Sequence, residues 1–185
     1  CIYLGNPIIE KFLDFQRSKK FKNNYNNSSK KNNILLLPGS RSSEIKYVLP
    51  EFIKLIKNTN HKFQNVNWII PITKSQYSNV LSKVNEIKSY PIEVIILEDN
   101  YEILKYSSFA IACSGTVTLE LVLFKIPTVA VYKTDFVSAL IGRMLVNFKN
   151  VILPNFLLKK NVVPFLFQEK CNYIEMQKVL LNFMN

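Results

Sequence analysis

Two short polar runs, Gly39-Ser40-Arg41 and Ser114-Gly115-Thr116, carry the residue types that grip a phosphorylated ligand. Apolar runs precede both: Ile34-Leu35-Leu36-Leu37, closed by Pro38, and Phe109-Ala110-Ile111-Ala112-Cys113. Amphipathic stretches follow. In a strand–loop–helix unit the first N–H groups of the helix lack intrahelical partners and its dipole favours negative charge, so each junction is a natural anion site. Arg41 adds a planar fork suited to two phosphoryl oxygens. Ser40, Ser114 and Thr116 add hydroxyls, while Gly39 and Gly115 allow tight turning and close approach of backbone to ligand. Glu120 stands about one turn into the second helix. A carboxylate there can accept two ribose hydroxyls; an ordinary solvent-facing helix position is the equal alternative. Together these groups suit a nucleoside diphosphate, held without metal, and stabilising its charge makes it a good leaving group.

Other chemistries fit poorly. There is no G-K-[ST] phosphate loop and no GxGxxG fingerprint, and Ser114 is not in a GxSxG elbow. His61 is the single histidine, which nearly excludes a histidine triad or a multi-histidine metal site unless a partner domain completes it. Cys1, Cys113 and Cys171 are odd in number and lack a CxxC spacing, which fits a reducing compartment better than a disulfide or zinc scaffold. No metal and no cofactor are expected.

The elements needed to position the two runs are legible as an alternation. Strands are expected at Ile34–Leu37, Val66–Ile72, Ile92–Leu97, Phe109–Cys113 and Thr128–Tyr132. Helices are expected from Ser42 to Ile56, Ser75 to Ile87 and Thr116 to Lys125, with a short one through Tyr106 started by the Asp99/Glu102 capping-box spacing. This predicts an α/β fold: a Rossmann-like open, mainly parallel sheet with helices on both faces, whose ligands bind beyond the carboxyl ends of the strands. Residues 1–18 read as a leading strand and helix, 19–33 as a Lys/Asn-rich linker or insertion, 34–168 as the main domain and 169–185 as a closing helix. Val151–Pro154 reads as a further strand and Asn155 as the start of a loop. Phe136–Phe148 reads first as a core helix, with a lipid-facing surface helix as the sharper alternative.

The chain has 24 basic and 13 acidic residues, a formal charge of +11, so anionic partners are favoured: nucleic acid, anionic lipid or phosphorylated small molecules. No secretory leader is visible, and Phe109–Tyr132, the most apolar region, is too interrupted to read as a spanning helix.

Leu37-Pro38-Gly39-Ser40-Arg41 with Glu44-Ile45, Ala112-Cys113-Ser114-Gly115-Thr116 with Leu119-Glu120, and Leu153-Pro154-Asn155 with Leu157-Leu158 resemble, in order, motifs of bacterial lipid-A-disaccharide synthase. Gly5-Asn6-Pro7 resembles another, although relatives often have histidine at the Asn6 position. The resemblance covers the whole chain and about the second half of a family member. It implies the C-terminal, nucleotide-sugar-binding half of a GT-B glycosyltransferase. That enzyme transfers 2,3-diacylglucosamine from UDP-2,3-diacylglucosamine to 2,3-diacylglucosamine 1-phosphate (lipid X) with inversion, releasing UDP. Arg41 would then contact the diphosphate or stabilise its developing charge, with Ser114 and Thr116 lining the phosphate pocket and Glu120 holding the ribose. Asn155 would lie beside the donor as a catalytic residue with Arg41, and Gln168 near the cleft. The general base is expected in the absent N-terminal half. Pro164-Phe165-Leu166-Phe167-Gln168 lacks the acidic residue that family members often carry there, and activity of this fragment alone stays open.

The implied partners are the two substrates, the N-terminal half, and peripheral contact with the cytoplasmic face of an anionic inner membrane. Self-association stays open, and no nucleic acid is expected. Two alternatives stand beside this reading: a related transferase using another UDP-sugar, and a non-catalytic basic module that binds RNA or anionic membrane.

Overall fold

A computed structural model describes residues 7–17, 33–59, 66–87, 89–98, 101–145 and 152–184. Gly5-Asn6, the bulk of the Lys/Asn-rich segment, His61 and Asp99 lie outside the described residues.

Continuous apolar runs become the centre of a parallel sheet because both faces of each strand are covered. Helix α1 (Pro7–Arg17) precedes β1 (Asn33–Leu37), and α2 (Ser42–Thr59) returns the chain to β2 (Asn67–Ile72). A helical stretch with tightened 3₁₀ ends surrounds α3 (Tyr77–Val84) and leads to β3 (Ile92–Ile96). A 3₁₀ turn at Tyr101–Tyr106 precedes β4 (Phe109–Cys113), followed by α4 (Thr116–Leu123) and β5 (Thr128–Tyr132). Then come α5 (Phe136–Leu145), α6 (Leu153–Leu158), β6 (Phe165–Phe167) and α7 (Tyr173–Met184). All pairings are parallel, in the order β3-β2-β1-β4-β5-β6. The expected fold class is therefore the observed one.

Alternation along β1 feeds two cores. Ile34 and Leu36 pack with Val48, Leu49 and Phe52 of α2 and with Met176 and Leu180 of α7. Leu35 and Leu37 pack on the other face with Ile103, Leu104 and Leu121. Each fully buried Leu, Ile or Phe side chain contributes roughly 1.5–3 kcal/mol relative to exposure, so this sheet centre is a rigid base for its loops.

Two expectations need correction, and one strand was not expected. Residues 152–158 are not strand then loop, and Val151 lies outside the described residues. Leu153–Leu158 is helix α6, ended by Lys159 in the left-handed region (φ 51°), with the Lys160 N–H reaching the Asn155 carbonyl at 3.2 Å. A helix stop built on lysine instead of glycine carries no sequence signal. Phe165–Phe167 is a sixth strand that its short length concealed. The first turns of α5 are not core: Phe136 is 79% exposed and Val137 64%, and of residues 136–140 only Ala139 is buried.

Candidate functional site

In this strand order the chain leaves β1 toward β2 and leaves β4 toward β5. The loops after these two neighbouring strands therefore diverge, and a crevice opens between them. A cavity of about 410 Å³ lies there. One wall is the β1–α2 junction, with Gly39, Ser40, Arg41 and Glu44; the facing wall is Ser114 to Val117 with Glu120; and Thr73, Leu97 and Glu98 from the ends of β2 and β3 close the side. The structure thus brings together seven of the expected residues: Gly39, Ser40, Arg41, Ser114, Gly115, Thr116 and Glu120. Glu120 is half-buried in the cavity wall and not on the solvent face of its helix.

The first junction is more occupied than sequence suggested. Gly39 has φ +109°, which a side chain rarely adopts, and a Cβ there would lie 2.7 Å from Cβ of Glu44 and press on its carboxylate. Glu44 Oε2 accepts the Ser40 N–H at 3.0 Å and the Arg41 N–H at 3.3 Å, and Oε1 lies 3.5 Å from the Arg41 guanidinium. Two amides expected to hold phosphate are therefore held by a carboxylate of the same chain. The signal was present, since a glutamate three residues after a helix cap reaches back to the cap's N–H. Ser42 Oγ accepts a bond from Gln76 Nε2 at 3.0 Å, tying this loop to the start of α3.

The second junction is open. Gly115 is fully extended (φ 171°), a conformation any residue adopts, and a Cβ added there would meet nothing closer than the Cys113 carbonyl at 4.0 Å. Thr118 Oγ1 donates to the Gly115 carbonyl at 2.7 Å and fixes the first turn of α4. The Ser114 N–H continues the sheet to Val131 at 2.8 Å.

Asn155 and Gln168 do not join this group. Asn155 is 7% exposed; its Oδ1 accepts the N–H groups of Val162 and Val163 at 2.9 and 2.8 Å, and its Nδ2 donates to the Val163 carbonyl at 2.8 Å. Val163 leads into the amino end of β6, away from the carboxyl edge where the cavity lies. Gln168 does lie at the carboxyl edge, but its amide closes on Thr134, accepting the N–H at 2.8 Å and donating to the carbonyl at 3.1 Å.

Cys113 borders the cavity, yet burial pushes its thiol up to about 12, so it is no nucleophile at neutral pH. Burial likewise pushes Cys171 to about 12. Among the described residues no group of three or more His, Cys, Asp or Glu side chains could hold a metal, and no helix is long and apolar enough to cross a membrane.

Fold and cavity together define a Rossmann-like half of the kind used by GT-B glycosyltransferases. The fold is shared with E. coli ADP-heptose LPS heptosyltransferase II (TM-score 0.59, 9% identity, 99% of this chain and 53% of that one). It is shared too with Methanocaldococcus jannaschii UDP-GlcNAc 2-epimerase, solved with UDP-GlcNAc and UDP (TM-score 0.59, 14% identity, 100% of this chain and 48% of that one). The chain belongs to the lipid-A-disaccharide synthetase family, which it matches over residues 1–185. It is 33% identical to the lipid-A-disaccharide synthase of Sulfurihydrogenibium sp. over 98% of its own length and 49% of that protein. With the synthase of Persephonella marina it shares 33% identity over 92% of its own length and 46% of the relative. The chain thus spans about half the length of the curated relatives it matches.

Proposed function

We propose that this chain is the donor-binding half of a lipid-A-disaccharide synthase. It would hold UDP-2,3-diacylglucosamine while the sugar passes, with inversion, to the 6-hydroxyl of lipid X and UDP departs. The observation that carries the reading is the cavity at the β1/β4 crevice, where Arg41 faces Ser114, Gly115, Thr116 and Glu120. Its volume is within the range of small-ligand sites.

On this reading the diphosphate lies between Arg41 and the amino end of α4, and the ribose hydroxyls reach Glu120. Arg41 is the catalytic residue of this half: its guanidinium stabilises negative charge as the sugar–phosphate bond breaks. Asn155 and Gln168 serve by fixing the α6–β6 and β5–α5 loops. The general base belongs to the other half. The epimerase that shares this fold was solved with UDP, which supports a uridine nucleotide here.

Contact with the cytoplasmic face of an anionic inner membrane is part of the proposal. Exposed Phe136, Val137 and Leu140 on α5, and Phe156, Leu157 and Leu158 on α6 beside Lys159 and Lys160, support it.

Calorimetric titration of UDP into the wild type and Arg41→Ala, without added metal, tests the core of the reading. Saturable binding that weakens at least about tenfold on substitution is expected, as for loss of a charge-assisted hydrogen bond. Equal affinity in both forms would remove Arg41 from the site.

A further inference from the structure

The Glu44 carboxylate sits where a ligand anion would be expected: on the amides of Ser40 and Arg41, under Gly39, and beside the Arg41 guanidinium. Its three contacts differ in kind. The two amide bonds, at 3.0 and 3.3 Å, are backbone contacts that hold the carboxylate against the loop, and the Glu44 side chain is only 12% exposed. The contact to Arg41, at 3.5 Å, is at the limit of a hydrogen bond, and the Arg41 side chain is 79% exposed. The absence of a Cβ at Gly39 is what lets Glu44 fold under the loop. A diphosphate approaching this wall meets a fixed negative charge on the backbone and a loosely tethered positive one in front of it.

We infer that Glu44 is a positioning residue: it permanently fills the anion site of the β1–α2 loop and releases only the Arg41 guanidinium to the ligand. The loop amides then take no part in phosphate binding. The phosphoryl oxygens are left to Arg41 and to the second junction, and Glu44 sets how readily Arg41 leaves. The arm of the test that uses a ligand rests on the UDP reading above; the other arm does not.

Amide hydrogen exchange by NMR, without ligand, should show Ser40 and Arg41 protected in the wild type and exchanging about fivefold faster or more in Glu44→Ala. Glu44→Gln keeps an acceptor for those amides but loses the ion pair, so it should bind UDP about two- to fivefold more tightly than wild type. On an Arg41→Ala background the same change should give no gain, because the coupling runs through Arg41. Unchanged exchange in Glu44→Ala would overturn the inference. So would a gain that persists without Arg41, which would mean simple charge repulsion. If the wild type binds no UDP, the functional reading fails, and the exchange comparison alone decides whether Glu44 holds the loop.

Discussion

At the β5–β6 margin, Gln168 closes its amide on both backbone groups of Thr134, and Asn155 closes its own on Val162 and Val163. At the centre of the sheet, Arg41, Ser114, Thr116 and Glu120 border a cavity of about 410 Å³. Similar polar side chains thus do two jobs in one molecule. At the margin these side-chain amides complete the hydrogen bonding of neighbouring loops. The centre, whose strands are buried on both faces, turns its polar groups to the cavity. Within the centre the same contrast recurs in miniature, since the first junction is filled by Glu44 and the second is open.

The sharpest test of the margin is Asn155→Ala. The Val163 N–H and carbonyl lose their partner there, while the Val162 N–H keeps the Lys160 carbonyl at 3.0 Å, and each unsatisfied buried group costs about 1–3 kcal/mol. A loss of about 3 kcal/mol in urea denaturation is expected, with UDP affinity of the folded protein unchanged. Intact stability with weakened binding would move Asn155 into the site and erase the contrast.

Gly39→Ala comes next. It forces a side chain to positive φ and against Glu44, so a cost of about 2 kcal/mol is expected by thermal or chemical denaturation.

A smaller effect belongs to Glu51, a carboxylate on α2 away from the cavity lining. Burial would push its carboxyl up, but Lys133 at 3.0 Å, Lys54 at 3.3 Å and the Tyr173 N–H outweigh that and hold it below the ordinary value of 4.5. A lowered folded-state value means that its contribution is present above the ordinary value and is lost as pH falls through the lowered one. That contribution is about 1 kcal/mol, because Lys54 and Lys133 remain solvent-screened. Glu51→Gln should therefore lower stability at neutral pH and flatten the acid side of the stability profile. A profile parallel to wild type would show that the carboxylate is not paired in solution.

The centre of this fold was legible in sequence because buried parallel strands are long apolar runs, and the turns after them must be polar. Ile34–Leu37 and Phe109–Cys113 left little choice. The margin was not legible. Strand β6 has only three residues, and α6 ends on Lys159, so neither length nor glycine marked them. Asn155 and Gln168 were placed beside the donor and near the cleft by family resemblance alone, and a polar residue in apolar surroundings reads the same whether it serves a ligand or a loop. Only the partner distinguishes them, and the partner of Gln168 is 34 residues away. Glu44 entered the sequence reading only as part of a motif, and its hold on the Ser40 and Arg41 amides depends on the turn at Gly39.

Gly115→Ala gives the smallest expected change in the fold and the most direct reading of the cavity. The backbone at Gly115 is extended, and the nearest atom to an added Cβ is 4.0 Å away, so stability should stay within about 0.5 kcal/mol of wild type. The chain itself gives no reason for a glycine here. If its role is to leave room beside the amino end of α4, the added methyl stands in the space of the ligand. One misplaced methyl in a fitted pocket costs at least about tenfold in affinity. UDP titration into Gly115→Ala should show that loss while its denaturation curve overlays the wild type. Unchanged affinity would place the diphosphate away from the second junction. With the amides of the first already held by Glu44, Arg41 would then be left to bind it without the help of either helix.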